Sequence, residues 1–138
     1  MKILVPMDGS AAALRALDFA IRRVTKNDGM IRLVNIQQPA PPSVSVFVGG
    51  DAMETLYRDE AERALAPARE RLAEAGVKFE EDTRHGAIGD TIAADSAENR
   101  CDEIIMGSRG MGAFSSVLLG SVAMRVLQLA NMPVTIVK

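Results

Sequence analysis

The sequence is short of cysteine, histidine, aromatic residues and long apolar runs. Its 138 residues contain one cysteine, one histidine, one tyrosine and no tryptophan. A lone cysteine, Cys101, cannot form an internal disulfide, so we expect a structural role for it and a reducing compartment, the cytoplasm. His85 has no second histidine or cysteine as a co-ligand, so we expect a surface or satisfied histidine and no metal site. No apolar run approaches the roughly 20 residues of a membrane span, and the N-terminus lacks a signal-peptide layout.

The chain also lacks a strong excess of charge of one sign. A formal net charge of −2 gives no support for nucleic acid or an acidic membrane as a partner. The composition, 48% hydrophobic and 25% charged, is typical of a globular protein. The length is that of one ordinary domain, and we expect residues 1–138 to form it.

Short apolar runs alternate along the chain with segments of helical periodicity. The run Ile3-Leu4-Val5 is continuous, as in a central parallel strand covered on both faces, whereas the strand around Glu80-Glu81-Asp82 is charged enough to belong at a sheet edge. The alternation predicts an α/β fold with a five-stranded parallel sheet and helices on both faces. Strands are predicted at 2–7, 30–36, 77–84, 102–107 and 134–137, and the last three helices at 51–76, 86–99 and 118–130.

Three features interrupt this regular pattern. Prolines at 39, 41 and 42 and the pair Gly49-Gly50 predict a long, flexible surface loop over 37–50, which could cap a pocket, pack on a partner or simply be mobile. Pro67 predicts a kink, or two helices end to end, because its ring removes one N–H and clashes with a preceding carbonyl. Asp90 is the expected N-cap of helix 86–99, and Ser115 and Ser116 are read as helix caps rather than nucleophiles.

The stretch 104–122 contains a cluster of glycines between a strand and a helix. Gly107, Gly110 and Gly112 follow a short apolar strand, and Gly120 stands beside Ser121. Glycine costs backbone entropy, so such a cluster indicates positive φ or close approach by another group. Uncovered backbone N–H groups in a loop that leads into a helix N-terminus can bind a phosphate. Ser108 and Arg109 would add a hydroxyl group and a positive charge to such a site. An ordinary tight turn, with Arg109 as a solvated charge, is the alternative.

Topology predicts where a ligand would bind. In open parallel sheets, ligands bind beyond the strand C-termini, where the strand order reverses. If the order is 3-2-1-4-5, that crevice lies between the first and fourth strands. The loops meeting there are 6–8 and 107–121, so the glycine cluster and the topology indicate the same place.

With these two loops identified, the chain resembles the universal stress protein family over essentially its whole length. The similarity is carried by the opening strand and turn at 3–10, the fourth strand and glycine loop at 102–110, and the closing helix and strand at 119–137. The ATP-binding branch of that family carries glycine, two residues, glycine, nine residues, then glycine and serine or threonine. Gly107, Gly110, Gly120 and Ser121 fit this spacing without a gap.

The resemblance implies a Rossmann-like fold, similar to the adenine nucleotide alpha hydrolases, with the order 3-2-1-4-5. It implies ATP as the ligand, alone or with Mg²⁺. The motif residues would hold the phosphates, residues 6–8 would line the adenosine part, and Ile36 would pack on adenine. Arg109, chosen for its charge, and Val122, which follows Ser121, are added to this set. The predicted binding residues are Pro6, Met7, Asp8, Ile36, Met106, Gly107, Arg109, Gly110, Gly120, Ser121 and Val122. Met7 and the triplet Gly112-Ala113-Phe114 depart from the commonest pattern, and Met7 could narrow the base pocket.

The motifs favour a nucleotide binder over an enzyme. There is no P-loop sequence, and Asp8 is the only acid in the predicted crevice loops, so we expect no catalytic residue and at most slow hydrolysis. A ligand-gated regulatory or stress-resistance module is the hypothesis. The alternatives are a slow ATPase or nucleotidyl-transfer enzyme, and a ligand-free dimeric scaffold. A response-regulator receiver would need an acidic pair after the first strand, and Asp8 stands alone.

The last strand is the predicted interface with a second copy. Val134–Val137 has high β propensity, no gatekeeper before Lys138, and an edge position in the proposed order. An exposed edge of this kind favours pairing with another chain. We expect a homodimer with a two-fold interface between two copies of this strand, as the family resemblance also implies.

Overall fold

The computed structural model describes residues 1–45, 48–110 and 118–138, and within them lies a parallel five-stranded sheet. Its order is β3-β2-β1-β4-β5, and every neighbouring pair is parallel. The predicted fold class and strand order are therefore confirmed, and the charged strand does lie at an edge. The strands are β1 Lys2–Pro6, β2 Met30–Gln37, β3 Phe79–His85, β4 Glu103–Gly107 and β5 Val134–Val137.

Two helical layers cover the sheet and bury its central strand. Side chains alternate along β1, so Ile3 and Val5 pack in a core with α1 and α3, while Leu4 packs in a second core with α4 and α5. All three side chains are fully buried, which explains their continuous apolar run. The helices are α1 Ala11–Thr25, α2 Pro42–Ser45, α3 Gly50–Ala75, α4 Ile88–Glu98 and α5 Ser121–Leu129.

Three local expectations are corrected by the structure. The 37–50 connection contains the short helix α2, so it is not a loop throughout. Of the two alternatives at Pro67, two helices end to end is excluded, because Pro67 lies inside the single helix α3, where Leu65 and Ala68 on either side are buried. Ala87, not Asp90, is the N-cap of α4. Val46, Phe47, the 112–114 triplet and the expected caps at 115–116 lie outside the described residues.

A buried ion pair fastens α4 to the sheet. The guanidinium of Arg32, on β2, donates from Nε and Nη2 to the two carboxylate oxygens of Asp95, on α4, at 2.6 and 2.7 Å. The two side chains are only 7% and 0% exposed. Arg84 donates to the same carboxylate at 2.8 Å, and the hydrogen bond to Asp95 raises the pKa of Arg32. Burying a carboxylate away from water costs free energy, which these two guanidinium partners offset.

Candidate functional site

A cavity of about 470 Å³ opens at the carboxyl ends of β1 and β4, the neighbours at which the strand order reverses. Its size lies in the range typical of small-molecule sites. The structure brings all the site residues predicted from the sequence into its lining, which joins the loop 6–8 to the glycine segment. They are Pro6, Met7, Asp8, Ile36, Met106, Gly107, Arg109, Gly110, Gly120, Ser121 and Val122.

Seven lining residues lie outside the eleven predicted binding residues, and sequence reasoning missed six of them, all but Ser108. The seven are Ser10, Ala13, Val34, Ile88, Ile92, Ser108 and Ala123. The apolar ones lie in strands and helices, where periodicity separates inside from outside but does not separate a core from the wall of a cavity. Ser108 had been named for its hydroxyl in the glycine segment, and Ser10 carried a weaker signal, because it stands two positions after Asp8.

One end of the cavity is apolar. Strand β2 contributes Val34 and Ile36, helix α4 contributes Ile88 and Ile92, and β4 contributes Met106. Ile92 and Met106 are almost fully buried, so this apolar end continues directly into the core between α4, α5 and the sheet. A wall of this composition favours an uncharged, flat group such as a heterocyclic ring.

The opposite, polar end contains the N-termini of two helices. At α1, the Ser10 hydroxyl caps the helix by accepting from the Ala13 amide at 3.1 Å. At α5, the cap residue is Gly120, which has no side chain to offer, and the first intrahelical bond is donated by Met124. The N–H groups of residues 121–123 therefore have no acceptor within the helix, and all three residues line the cavity. Such a helix end attracts an anion through its N–H groups and its dipole.

The three glycines of the motif allow close approaches within the protein. None of them has a positive φ. A Cβ on Gly107 would lie 2.9 Å from the Ala12 Cβ, and one on Gly110 would lie 3.0 Å from the Asp8 carboxylate. The Gly120 amide donates to the carbonyl of Ser108 at 2.7 Å, so it is already engaged. The glycines thus draw α1, loop 6–8 and the start of α5 around one space, while residues 121–123 supply the amides.

The loop 6–8 is held from both sides. The Met7 amide donates to the Val34 carbonyl at 2.8 Å, and the Met7 carbonyl accepts from the Asn35 side chain at 2.8 Å. The Asp8 carboxylate accepts from the Ser10 amide at 2.9 Å. The Met7 side chain is 2% exposed and packs in the core with α1 and α3. Most of the Met7 side chain therefore packs in that core. It narrows the base pocket less than its size alone suggests.

The remaining residues considered for chemistry lie away from the cavity. His85 is exposed, and its ring packs edge-to-face on Tyr57 with 5.2 Å between centroids. Cys101 is buried, and this burial raises the pKa of its thiol to about 11, so the thiol stays protonated and unreactive at neutral pH. Neither residue lines the cavity. Of the helices in the described ranges, none has the length and apolarity needed to cross a bilayer.

Comparison with known sequences adds a family to this geometry. The model of the universal stress protein family matches residues 1–138. The chain is 31% identical over 143 residues to the universal stress protein MJ0531 of Methanocaldococcus jannaschii, covering 99% of this chain and 81% of that relative.

Comparison with solved structures gives the same result. The hypothetical protein MJ0577 superposes with a TM-score of 0.86 at 28% identity, covering 99% of this chain and 94% of its own. A universal stress protein from Archaeoglobus fulgidus, in complex with dAMP, has a TM-score of 0.76 at 25% identity and covers 100% and 98% of the two chains. A further universal stress protein, in complex with cAMP, has a TM-score of 0.75 at 25% identity, with 100% and 97% covered.

Proposed function

Because the chain belongs to the universal stress protein family, we propose that its cavity binds an adenine nucleotide, and ATP in particular. One observation carries this proposal: a single cavity joins an apolar end suited to a flat ring with a polar end built from uncapped helix amides. The dAMP and cAMP complexes of similar proteins support an adenine ring. The uninterrupted Gly107–Gly110–Gly120–Ser121 spacing supports a triphosphate.

Each part of the nucleotide has a matching part of the cavity. Adenine would lie between Ile36 and the α4 side chains, and the ribose beside Asp8 and Pro6. The phosphates would accept from the amides of residues 121–123 and face the guanidinium of Arg109, with Mg²⁺ bound to the nucleotide where present. The donors on the protein side are mostly main-chain amides, and these are fixed in position before the ligand arrives.

The same lining favours binding over rapid turnover. Asp8 is the one acid among the cavity's described lining residues, and its carboxylate already accepts from the Ser10 amide. Phosphoryl transfer needs charge neutralisation and a positioned nucleophile, and Arg109 is the one cation in this lining. We therefore propose a regulatory module whose conformation responds to nucleotide, with hydrolysis slow at most.

Calorimetric titration with ATP, AMP and adenosine tests the proposal. We expect ATP to bind at least tenfold more tightly than AMP, because the additional phosphates reach the amides of α5. Adenosine should bind more weakly still, through the apolar end alone. No heat of binding at millimolar ATP with magnesium would overturn the proposed function.

We also propose that two copies associate through β5. Two bonds to β4, from Ile104 N to the Pro133 carbonyl and from Ser108 N to the Val137 carbonyl, show which backbone groups of the strand are used internally. By the alternation of a parallel ladder, Val134 and Ile136 then direct their amides and carbonyls to the open edge. On α5, a helix that contacts β5, Met124 and Leu127 are exposed and offer further apolar surface.

Replacing Ile136 with proline should give a monomer. Proline removes one outward N–H and blocks strand pairing at the edge, while the bonds to β4, made by the neighbouring residues, remain. The matched control, Ile136→Ala, loses the same side chain but keeps the N–H and should stay dimeric. Analytical ultracentrifugation of both variants distinguishes them; a dimeric Ile136→Pro protein would exclude this interface.

A further inference from the structure

Two buried side-chain amides lie directly behind loop 6–8. Asn35 and Gln37 belong to the carboxyl end of β2 and are 4% and 5% exposed. The alternation of the strand directs them to the α1 and α3 side of the sheet, whereas Val34 and Ile36 face the cavity. They are thus separated from any ligand by the sheet itself. Buried amides at such a position need a reason, because each must satisfy its hydrogen bonds internally.

The two amides form a short relay that ends on loop 6–8. Gln37 Nε2 donates to Asn35 Oδ1 at 2.6 Å, and Asn35 Nδ2 donates to the Met7 carbonyl at 2.8 Å. A carbonyl oxygen only accepts, so the Asn35 nitrogen must face Met7, and its oxygen is left to accept from Gln37. The Gln37 backbone is itself held, since its carbonyl accepts from the Gly86 amide at 3.0 Å. The direction of the relay is therefore fixed.

This relay begins where strand pairing stops. The last paired position of β1 and β2 is Pro6 with Val34, and the next bond is the one from the Met7 amide to the Val34 carbonyl. Beyond it, the Met7 carbonyl is bound by the Asn35 side chain. Both polar groups of Met7 are thus engaged, which fixes the peptide leading into Asp8. Without Asn35, that peptide could rotate and carry the Asp8 side of the cavity with it.

We propose that Asn35, oriented by Gln37, is a positioning residue for the nucleoside half of the ligand. This inference rests on the proposed function, since it assigns loop 6–8 to the adenosine part. It acts through the Met7 carbonyl and touches no ligand atom. The phosphate end, built on α5, is independent of it. Loss of the relay therefore weakens the binding of any ligand that carries a nucleoside and leaves the binding of a bare polyphosphate unchanged.

Replacing Asn35 with leucine tests this division. Leucine keeps a similar volume but can neither donate to Met7 nor accept from Gln37. We expect the affinities for adenosine and for ATP to fall by the same factor, about tenfold, as for one lost hydrogen bond. Inorganic tripolyphosphate should bind as it does to the wild-type protein. Calorimetry with the three probes supplies the measurement, and equal losses for all three would indicate a merely structural role and overturn the proposal.

A second variant, Asn35→Asp, gives a pH signature that loss of stability would not produce. A protonated carboxyl group can donate to the Met7 carbonyl and accept from Gln37, whereas a carboxylate only accepts. Adenosine affinity of this variant should therefore be near the wild-type value at pH 5 and decline towards pH 9. Asn27→Asp is the matched control, because Asn27 also donates to a backbone carbonyl, that of Arg23 at 2.8 Å, but after α1 at the opposite end of the sheet.

The outcomes separate this inference from the proposed function. If the wild-type protein binds ATP and both Asn35 variants bind adenosine normally at every pH from 5 to 9, the positioning role is wrong and the nucleotide site stands. If the wild-type protein binds neither ATP nor adenosine, both proposals fail together. The Asn27→Asp control should show no pH dependence of adenosine affinity that the wild-type protein lacks.

Discussion

Replacing Ser121 with proline is expected to weaken ATP binding by about 10- to 100-fold without disturbing the fold. The substitution removes a main-chain N–H and a hydroxyl at the polar end of the cavity, and hydrogen bonds to charged groups contribute about 1.5–3 kcal/mol each. Ser121 is the first residue of α5, the helical position that tolerates proline best. Gly120 before it, at φ −73° and ψ 162°, already has the extended backbone that a residue preceding proline prefers.

The matched control for this experiment is Ser121→Ala. Alanine removes the hydroxyl alone, so the difference between the two variants isolates the contribution of the amide. We expect the alanine variant to retain most of the ATP affinity, and thermal unfolding to be nearly the same for both proteins. Equal ATP affinities in the two variants would show that the phosphates do not use this amide, and the assignment of the polar end would then be wrong.

Replacing Asp95 with leucine is expected to lower the free energy of unfolding by about 3–5 kcal/mol. The change leaves the buried guanidinium of Arg32 without its bidentate partner. Glu80 and Asp82 still contact Arg32, at 3.3 and 3.1 Å, but both carboxylates are substantially exposed and cannot replace a partner inside the protein. A loss of this size is a large fraction of the stability of an ordinary domain.

Two further variants show whether burial is the cause. In Arg32→Met/Asp95→Leu both charges are removed, and most of the lost stability should return, because an apolar pair of similar volume fills the space. The control Asp90→Leu removes an acid from the same helix, but its ion pair with Arg125 is half-exposed and should contribute about 1 kcal/mol or less. Urea unfolding monitored by circular dichroism measures all three. A double variant no more stable than Asp95→Leu would contradict this account.

The edge position of β3 and the covered position of β1 were predictable from charge and apolar character, whereas the full strand order came from the family resemblance. A strand covered on both faces has to be apolar at consecutive positions, as Ile3 to Val5 and Ile104 to Met106 are. The acidic run Glu80 to Asp82 is compatible only with partial exposure, and β3 lies at the sheet edge. The spacing of the glycines then indicated the position of the cavity, since glycine is needed where two elements approach too closely for a side chain.

Ion pairs between residues far apart in the sequence could not be predicted in this way. Asp90 stands in the first turn of a helix, where a cap is the commonest role for aspartate, but its carboxylate instead pairs with Arg125 of α5 at 2.9 Å from both oxygens. Nothing near Asp90 in the sequence indicates Arg125. Ile88 and Ile92 lie on the inward face of α4, and whether an inward residue meets the core or a cavity depends on where α5 packs. The buried Arg32–Asp95 pair was missed for the same reason.

The contact between Gly107 and Ala12 limits how this sequence can change over time. Most tight contacts in a protein can be relieved by shrinking one partner when the other grows. Here a Cβ on Gly107 would also lie 3.0 and 3.1 Å from the backbone carbonyl carbon and oxygen of Ala12, so shrinking the Ala12 side chain would not make room for it. Only glycine is smaller than alanine, and it would weaken the first turn of α1. The separation of α1 from β4 is therefore a fixed dimension, and any larger side chain at position 107 would have to push the helix away from the strand.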